Sequence, residues 1–524
     1  MPRLPRAGWL DKQRTIAAPG FNRWLVPPAA LAIHLSIGMA YGFSVFWLPM
    51  GKLLPFAAVC DGGVWAELTA RGCNWSTPAV THIFETFIAM LGVSAAIFGG
   101  WVERSGPRKS GVVAAACWGG GLIVGGLGVM THQLWLVFLG AGVIGGIGQG
   151  LGYITPVTTL IRWFPDRRGM ATGFAIMGYG GGALVGAPLA VWMMQHFAKG
   201  GAPGVASTLM ALGAIYALAM TLGAFGIRVP AGQEAVAGPR GADRHVEVSE
   251  AWKTPQFWLL WAVLCANVTA GIAVIAMASP MLQEVFGPRL VGLNLHADPS
   301  AGQKAAIAAA AAGLVGLISL FNSLGRLFWA SLSDFIGRKQ TYAIFFVLGA
   351  LLYAVLPTLG HLGLTFAFVA AVCVIISMYG GGFATLPAYL ADIFGTRFVG
   401  AIHGRVITAW SVAGVVGPAL IAQLRQSNLR QGVPKAQVYD TTLYVMAGLL
   451  VFGLICNLLV RPVSQKRLMV EAAPAVGGAE SSVMLETDRR GHGLGLVGLL
   501  AWLAVGAPFI IGLVIAVQKA SKLF

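Results

Sequence analysis

Gly99-Gly100-Trp101-Val102-Glu103-Arg104-Ser105-Gly106-Pro107-Arg108-Lys109 is a short polar turn between two long apolar runs. Its order is an acid, a glycine three residues on, then bases. The same order returns at Ala330-Ser331-Leu332-Ser333-Asp334-Phe335-Ile336-Gly337-Arg338-Lys339. One and the same offset along the chain carries Glu103 to Asp334, Gly106 to Gly337 and Pro156 to Pro387. Three landmarks at one offset predict an internal duplication, an architecture common among transporters. The second copy departs from the first, with Ala330 in place of a glycine and Phe335 in place of a base. Glu103, Arg104, Gly106, Arg108 and Lys109, with Asp334, Gly337, Arg338 and Lys339, read as a latch between neighbouring helices that breaks when the halves rock. The plainer alternative is loop charge that only sets orientation; the repeat favours the latch.

Of the 524 residues, 57% are hydrophobic and only 10% charged. Soluble domains carry about 25% charged residues, so this chain belongs in a bilayer. The 72 glycines recur inside the apolar runs, as suits closely packed membrane helices. The net charge of +16 would point to nucleic acid in a soluble protein. Here the excess Lys and Arg sit in loops between spans, and no nucleic-acid partner is expected.

A spanning helix needs about 20 apolar residues. Such segments fall near 24–49, 79–101, 110–130, 134–160, 169–194, 206–228, 256–280, 305–330, 340–359, 363–390, 399–424 and 440–460, with a thirteenth near 494–517. The expected architecture is therefore an all-α membrane protein: a six-helix half at 1–228, a linker at 229–254, a second six-helix half at 255–462, a polar linker at 463–492 and an extra helix at 493–524. The first span is too long for a cleavable signal. Bases before the first span and after the second, fourth, eighth and twelfth all fall on one side. That side is read as cytoplasmic, the N-terminus included. The first loop, with Cys60 and Cys73, then lies outside, where a disulfide can form. The other four cysteines sit in apolar runs as packing thiols.

Arg326 interrupts the eighth span, in Asn322-Ser323-Leu324-Gly325-Arg326. A charge at this depth costs about 3 kcal/mol or more and marks a functional site. Its repeat mate is Ala95, so the arginine is peculiar to one half.

The paired loops carry the signature of the major facilitator superfamily. Within it the chain resembles the oxalate/formate antiporter family and, more distantly, animal monocarboxylate transporters. The resemblance rests on Tyr41-Gly42-Phe43-Ser44-Val45-Phe46-Trp47-Leu48-Pro49, on Gly152-Tyr153-Ile154-Thr155-Pro156 with Arg162-Trp163-Phe164-Pro165-Asp166-Arg167-Arg168-Gly169, and on Tyr379-Gly380-Gly381-Gly382-Phe383 with Asp392-Ile393-Phe394-Gly395-Thr396. It covers roughly 20–465. It implies the major facilitator fold, a monomer, and alternating access around a midplane site.

In the oxalate transporter an Arg and a Lys embrace the dianion. The resemblance matches the Arg to Arg326, but puts Trp410 at the place of the Lys. Two carboxylates need two countercharges in a low-dielectric site, so one cation favours a monocarboxylate. The implied aromatic lining is Tyr41, Tyr153, Tyr379 and Phe383, with Trp410 as an apolar wall; a second carboxylate would need another cation, such as Arg405, to reach in. Each aromatic has packing as its alternative role. Monocarboxylate transporters carry an Asp one turn before this Arg; here Asn322 stands there and cannot titrate. Glu85 and His403 are the remaining proton-coupling candidates, Glu85 ahead by the cost of burying it.

Glycine runs such as Gly178-Tyr179-Gly180-Gly181-Gly182 resemble nucleotide loops, but no strand precedes them, so helix packing is the better reading. There is no Ser/His/Asp set, metal cluster or phosphate loop, so neither catalysis nor a cofactor is expected. The expected function is secondary transport of a small organic anion across an inner membrane, lactate- or formate-like, by proton symport or anion exchange. A dicarboxylate antiporter and a non-transporting sensor on the same fold remain the alternatives.

Overall fold

The computed structural model describes residues 8–54, 56–199, 203–231, 244–293, 299–464, 467, 469–470 and 495–520. Among these, thirteen helices are long and apolar enough to cross a membrane. They are α1 Arg23–Met50, α2 Thr77–Ser105, α3 Pro107–Met130, α4 Leu134–Trp163, α5 Arg168–Phe197, α6 Val205–Gly226, α7 Pro255–Leu290, α8 Ala301–Ile336, α9 Arg338–Leu362, α10 Thr365–Phe394, α11 Val399–Arg430, α12 Lys435–Leu459 and α13 Gly495–Ala520.

The helix ends follow local chemistry. Ser76 caps α2 through the Ala79 N–H, with Pro78 in the first turn. Ser300 and Gln303 form a reciprocal capping box that starts α8 a turn earlier than its apolar run predicts. Gly106 and Gly337, equivalent positions in the repeat, have φ of 84° and 91°. Only glycine turns the chain this sharply without strain, which explains one glycine in each copy of the loop. At its far end α7 runs well past its expected stop at 280, to Leu290. Glu284 there is held by Arg425 of α11 and by the Tyr439 hydroxyl at 2.6 Å, so the added turns bury no orphan charge.

Repeat-equivalent helices pack alike, α3 on α6 and α9 on α12. Across the middle, α2 faces α11 and α5 faces α8. Close approach depends on small residues: a Cβ on Gly148 or Gly325 would overlap the backbone of the neighbouring helix.

Among the described residues three spanning helices are irregular, α4 by a π-helical stretch over Phe138–Ile144. α1 is α-helical over Val26–Ile37, tightens to a 3₁₀ helix over Gly38–Phe46, then resumes. α11 breaks at Ile407, between Val399–Val406 and Thr408–Arg430.

Cys60 and Cys73 are joined by a disulfide, with Cα atoms 5.0 Å apart. The loop they close is ordered by Glu67, which accepts from Ser76 N at 2.8 Å and Ser76 Oγ at 2.6 Å, and by the Trp75 ring stacked 4.7 Å from His132.

The two polar linkers meet. β1 Arg244–His245 pairs antiparallel with β2 Met469–Val470. Composition alone gives no sign of this pairing, which satisfies backbone groups that a polar stretch otherwise leaves to water. Residues 232–243 of the first linker and 471–494, which include most of the second, lie outside the described residues, as do 521–524 with Lys522.

Candidate functional site

Arg326 lies on α8 with no exposed surface. Asn322 is one turn earlier on the same face, and its Oδ1 accepts from Arg326 Nε at 3.2 Å. Nη1 donates to the Ile176 carbonyl of α5 at 3.2 Å, and Nη2 to the Tyr41 hydroxyl at 3.4 Å. Tyr41 and Tyr379 share a hydrogen bond of 3.0 Å between their hydroxyls. These partners of the guanidinium are all neutral, and no carboxylate pairs with it among the described residues.

Aromatic rings enclose the charge. The guanidinium carbon is 5.4 Å from the ring centre of Phe383, 5.7 Å from Tyr179 and 5.8 Å from Tyr41. These distances allow cation–π attraction but supply no countercharge. Trp410 is fully buried beyond them, 4.7 Å from Phe383, 5.3 Å from Tyr179, 5.7 Å from Tyr153 and 6.4 Å from Tyr41. Six helices thus contribute: α1 through its 3₁₀ stretch, α4, α5, α8, α10, and α11 beside its break.

Glycines make the approach possible. A Cβ on Gly180 would stand 2.8 Å from Arg326 Nε, and one on Gly380 would press on the backbone and side chain of Asn322. A cavity of about 50 Å³ beside Tyr41, Asn322, Ser319 and Ile275 has room for a few waters or part of a small carboxylate. Several buried polar atoms here lack a hydrogen-bond partner among the described residues: the hydroxyls of Tyr153 and Tyr179, Trp410 Nε1 and both ring nitrogens of His403. Orphaned groups at this density require explanation, and a polar ligand or water supplies one.

Arg326, Asn322, Tyr41, Tyr153, Tyr379, Phe383 and Trp410 come together in one place. His403 stands at its edge, 5.8 Å from the Tyr153 ring. Glu85 does not join them. Its side chain is 40% exposed and accepts from His82 Nδ1 at 2.6 Å. Arg405 does not reach in either; it donates to the Val248 carbonyl at 2.8 Å, toward the linkers. Tyr179 and the Ile176 carbonyl are site groups that the sequence reading missed. The repeat held the signal for one of them, since Tyr179 is the repeat mate of Trp410.

The repeated loops close one end of the bundle. Glu103 Oε1 accepts from the backbone N–H groups of Gly400 at 2.9 Å and Ala401 at 3.1 Å, in the first turn of α11. Asp334 accepts from Gly169 N at 2.9 Å and Met170 N at 2.8 Å, in the first turn of α5. Gly169 and Met170 are themselves the repeat mates of Gly400 and Ala401. Each acid satisfies free donors at a helix start, where the helix dipole is positive. Arg338 pairs with Asp334 and, at 3.4 Å, with Asp392, which Arg168 also meets at 3.3 Å. The other bases act differently from the expected latch. Arg108 donates to the Trp9 and Arg14 carbonyls, Lys339 to Leu458 and Val460 at the end of α12, while Arg104 and Lys109 are exposed. A charged side chain at a loop can serve a nearby carbonyl terminus as readily as a carboxylate, and these two do.

The fold is that of a membrane transporter with two repeated six-helix halves. The sequence profile of the Major Facilitator Superfamily matches residues 20–418, and the chain belongs to that superfamily. It is 30% identical over 335 residues to the oxalate:formate antiporter of Oxalobacter formigenes, covering 62% of this chain and 71% of that protein. It is 26% identical over 377 residues to apicoplast pyruvate carrier 1 of Toxoplasma gondii, with 62% and 66% covered, and 27% identical over 192 residues to mouse (Mus musculus) monocarboxylate transporter 11, with 37% of each covered. Among solved structures, the proton:xylose symporter XylE superposes with a TM-score of 0.56 at 12% identity, over 84% of this chain and 96% of that one, a likeness of fold alone.

Proposed function

We propose that the protein is a secondary transporter of a small monocarboxylate, of the size of formate or lactate, with Arg326 as the partner of the carboxylate. The observation that carries this reading is a fully buried guanidinium whose partners are all neutral. An unpaired buried charge is strongly unfavourable, and an arriving anion relieves it. Tyr41 and Tyr379 serve as hydroxyl donors, and Phe383 and Trp410 as apolar walls. The oxalate:formate antiporter and pyruvate carrier among the relatives agree with a carboxylate substrate. Trp410, where the resemblance puts a second cation, and Arg405, engaged at Val248, favour one carboxylate over two.

Transport proceeds by rocking of the 1–228 half against the 255–462 half. The Glu103 and Asp334 contacts hold the cytoplasmic end shut in the conformation described, and release when the other state forms. The protein acts as a monomer in the inner membrane with its N-terminus in the cytoplasm, as its loop charges support. Anion exchange needs no proton carrier; symport would use His403, the buried imidazole beside Tyr153.

Uptake of labelled formate and lactate into proteoliposomes tests the reading, with and without the same anion or a pH gradient on the far side. Arg326→Ala should abolish uptake while leaving the protein in the membrane. Carboxylate uptake that survives in that variant overturns the assignment.

A further inference from the structure

α13 packs along α5, α8 and the start of α1, over the seam at which α5 meets α8. Trp502 Nε1 donates to the Trp24 carbonyl at 3.1 Å, and its ring lies 6.2 Å from Phe174 of α5. Deeper along the helix, Gly512 rests on the Leu184 carbonyl, where a Cβ would come within 2.6 Å of the oxygen. Between these contacts Phe509 meets Gly181, and a Cβ on Gly181 would overlap its ring. The preceding residue, Gly180, points about 100° further round α5, where its would-be Cβ stands 2.8 Å from Arg326 Nε. α8 offers only the small Ser323 at this level, its Oγ donating to Met177 O of α5 at 3.1 Å. Two side-chain-free residues of α5 and the small Ser323 of α8 therefore lie between the Phe509 ring and the guanidinium.

We propose that α13 is the outer wall of the anion site and that Phe509 is a positioning residue for Arg326. This rests on the reading of Arg326 as the carboxylate partner. Without the ring, the notch at Gly180 and Gly181 opens on the hydrocarbon beside a charge whose partners among the described residues are all neutral. Mobile acyl chains fill such a notch poorly, and water drawn into it raises the local dielectric and weakens the bond to the anion. With the ring in place the guanidinium stays on Ile176, Asn322 and Tyr41, aimed at the centre of the bundle.

The test uses the full chain with Cys117, Cys265, Cys373 and Cys456 replaced by alanine and Ser323→Cys introduced. A lipid-soluble maleimide then reports access through the seam, independently of transport. Phe509→Ala should label about tenfold faster than Phe509, and Phe509→Trp about as slowly as Phe509, because reaction follows access. In parallel, with Ser323 native, Phe509→Ala should raise KM for the carboxylate about tenfold with little change in kcat, which marks lost binding rather than lost folding. Phe509→Leu should fall between, and serves if the alanine variant leaves the membrane. Equal labelling rates overturn the seal. Faster labelling with an unchanged KM overturns the positioning role. If labelling rises as expected but the parent protein takes up no carboxylate, the functional reading falls and the seal stands.

Discussion

Glu103 and Asp334 are repeat mates and do the same work in opposite directions. Each lies at the end of a helix in one half and accepts two backbone N–H groups from the first turn of a helix in the other, at 2.8–3.1 Å. The symmetry gives the closed end two matched clasps.

Charge-assisted hydrogen bonds of this kind are worth about 1.5–3 kcal/mol to a charged acceptor, and a neutral amide keeps only part of that. Glu103→Gln should therefore shift the balance toward the open end by about 1–2 kcal/mol, roughly tenfold in population. Thr158, which would touch a side chain on Gly400, is nearly buried behind this clasp and reports the change. A cysteine placed there, in a background free of the other reduced cysteines, should react faster with an impermeant maleimide in Glu103→Gln. An unchanged rate means that the clasp does not hold the closed state.

Tyr41 links Arg326 to Tyr379 through its hydroxyl. Tyr41→Phe keeps the ring and its packing, and removes one donor to the carboxylate and one acceptor for the guanidinium. The expected loss is about 0.5–1.5 kcal/mol, a few-fold rise in KM with little change in thermal stability. Calorimetric binding of lactate or formate to the detergent-solubilised variant measures it, and affinity equal to the parent would remove Tyr41 from the site.

The spans were legible because a bilayer imposes a length and a composition that survive any tertiary arrangement. The repeat was legible because acids, glycines and prolines recur at a fixed offset. Arg326 was legible as a charge in the wrong solvent. Its neighbours were harder. Tyr41 and Tyr379 lie in different halves of the chain, and only the resemblance to other transporters brought them together. Tyr179 sat inside a glycine run read as packing, which that run also is, so the one aromatic within it passed unnoticed. The partners of Glu103 and Asp334 are backbone groups, which every sequence possesses, so residue identity could not mark them. The same holds for the Ile176 carbonyl and the β1–β2 pairing. Position in an apolar run does not fix which way a side chain faces, and Glu85 lies on a partly open face beside His82, away from Arg326.

The Cys60–Cys73 bridge closes a loop with a sequence separation of 13. In the chain-entropy account a loop of this size contributes about 3 kcal/mol by restricting the unfolded chain. The double variant Cys60→Ser, Cys73→Ser should therefore melt several degrees lower in detergent, while KM stays within about twofold because the loop lies apart from the Arg326 site. A scanning fluorescence melt with a parallel uptake assay separates the two effects. A large rise in KM would show that the loop acts on the site.

On the proposed reading, Trp410 sets how many carboxylates the Arg326 site takes. It is fully buried, its Nε1 has no partner among the described residues, and it packs on Phe383 at 4.7 Å across from Arg326. Trp410→Lys puts a second cation there and removes an apolar wall. A buried ammonium with no partner is costly, so the variant should bind monocarboxylates more weakly and melt lower when empty. A dicarboxylate pairs both charges and recovers that cost. Oxalate should then stabilise Trp410→Lys against heat more than formate does, with an affinity about tenfold or more above that of the parent, equivalent to about 1.4 kcal/mol. Folded Trp410→Lys protein that gains nothing for oxalate would mean that position 410 does not face the substrate, and the argument for a monocarboxylate would lose its basis.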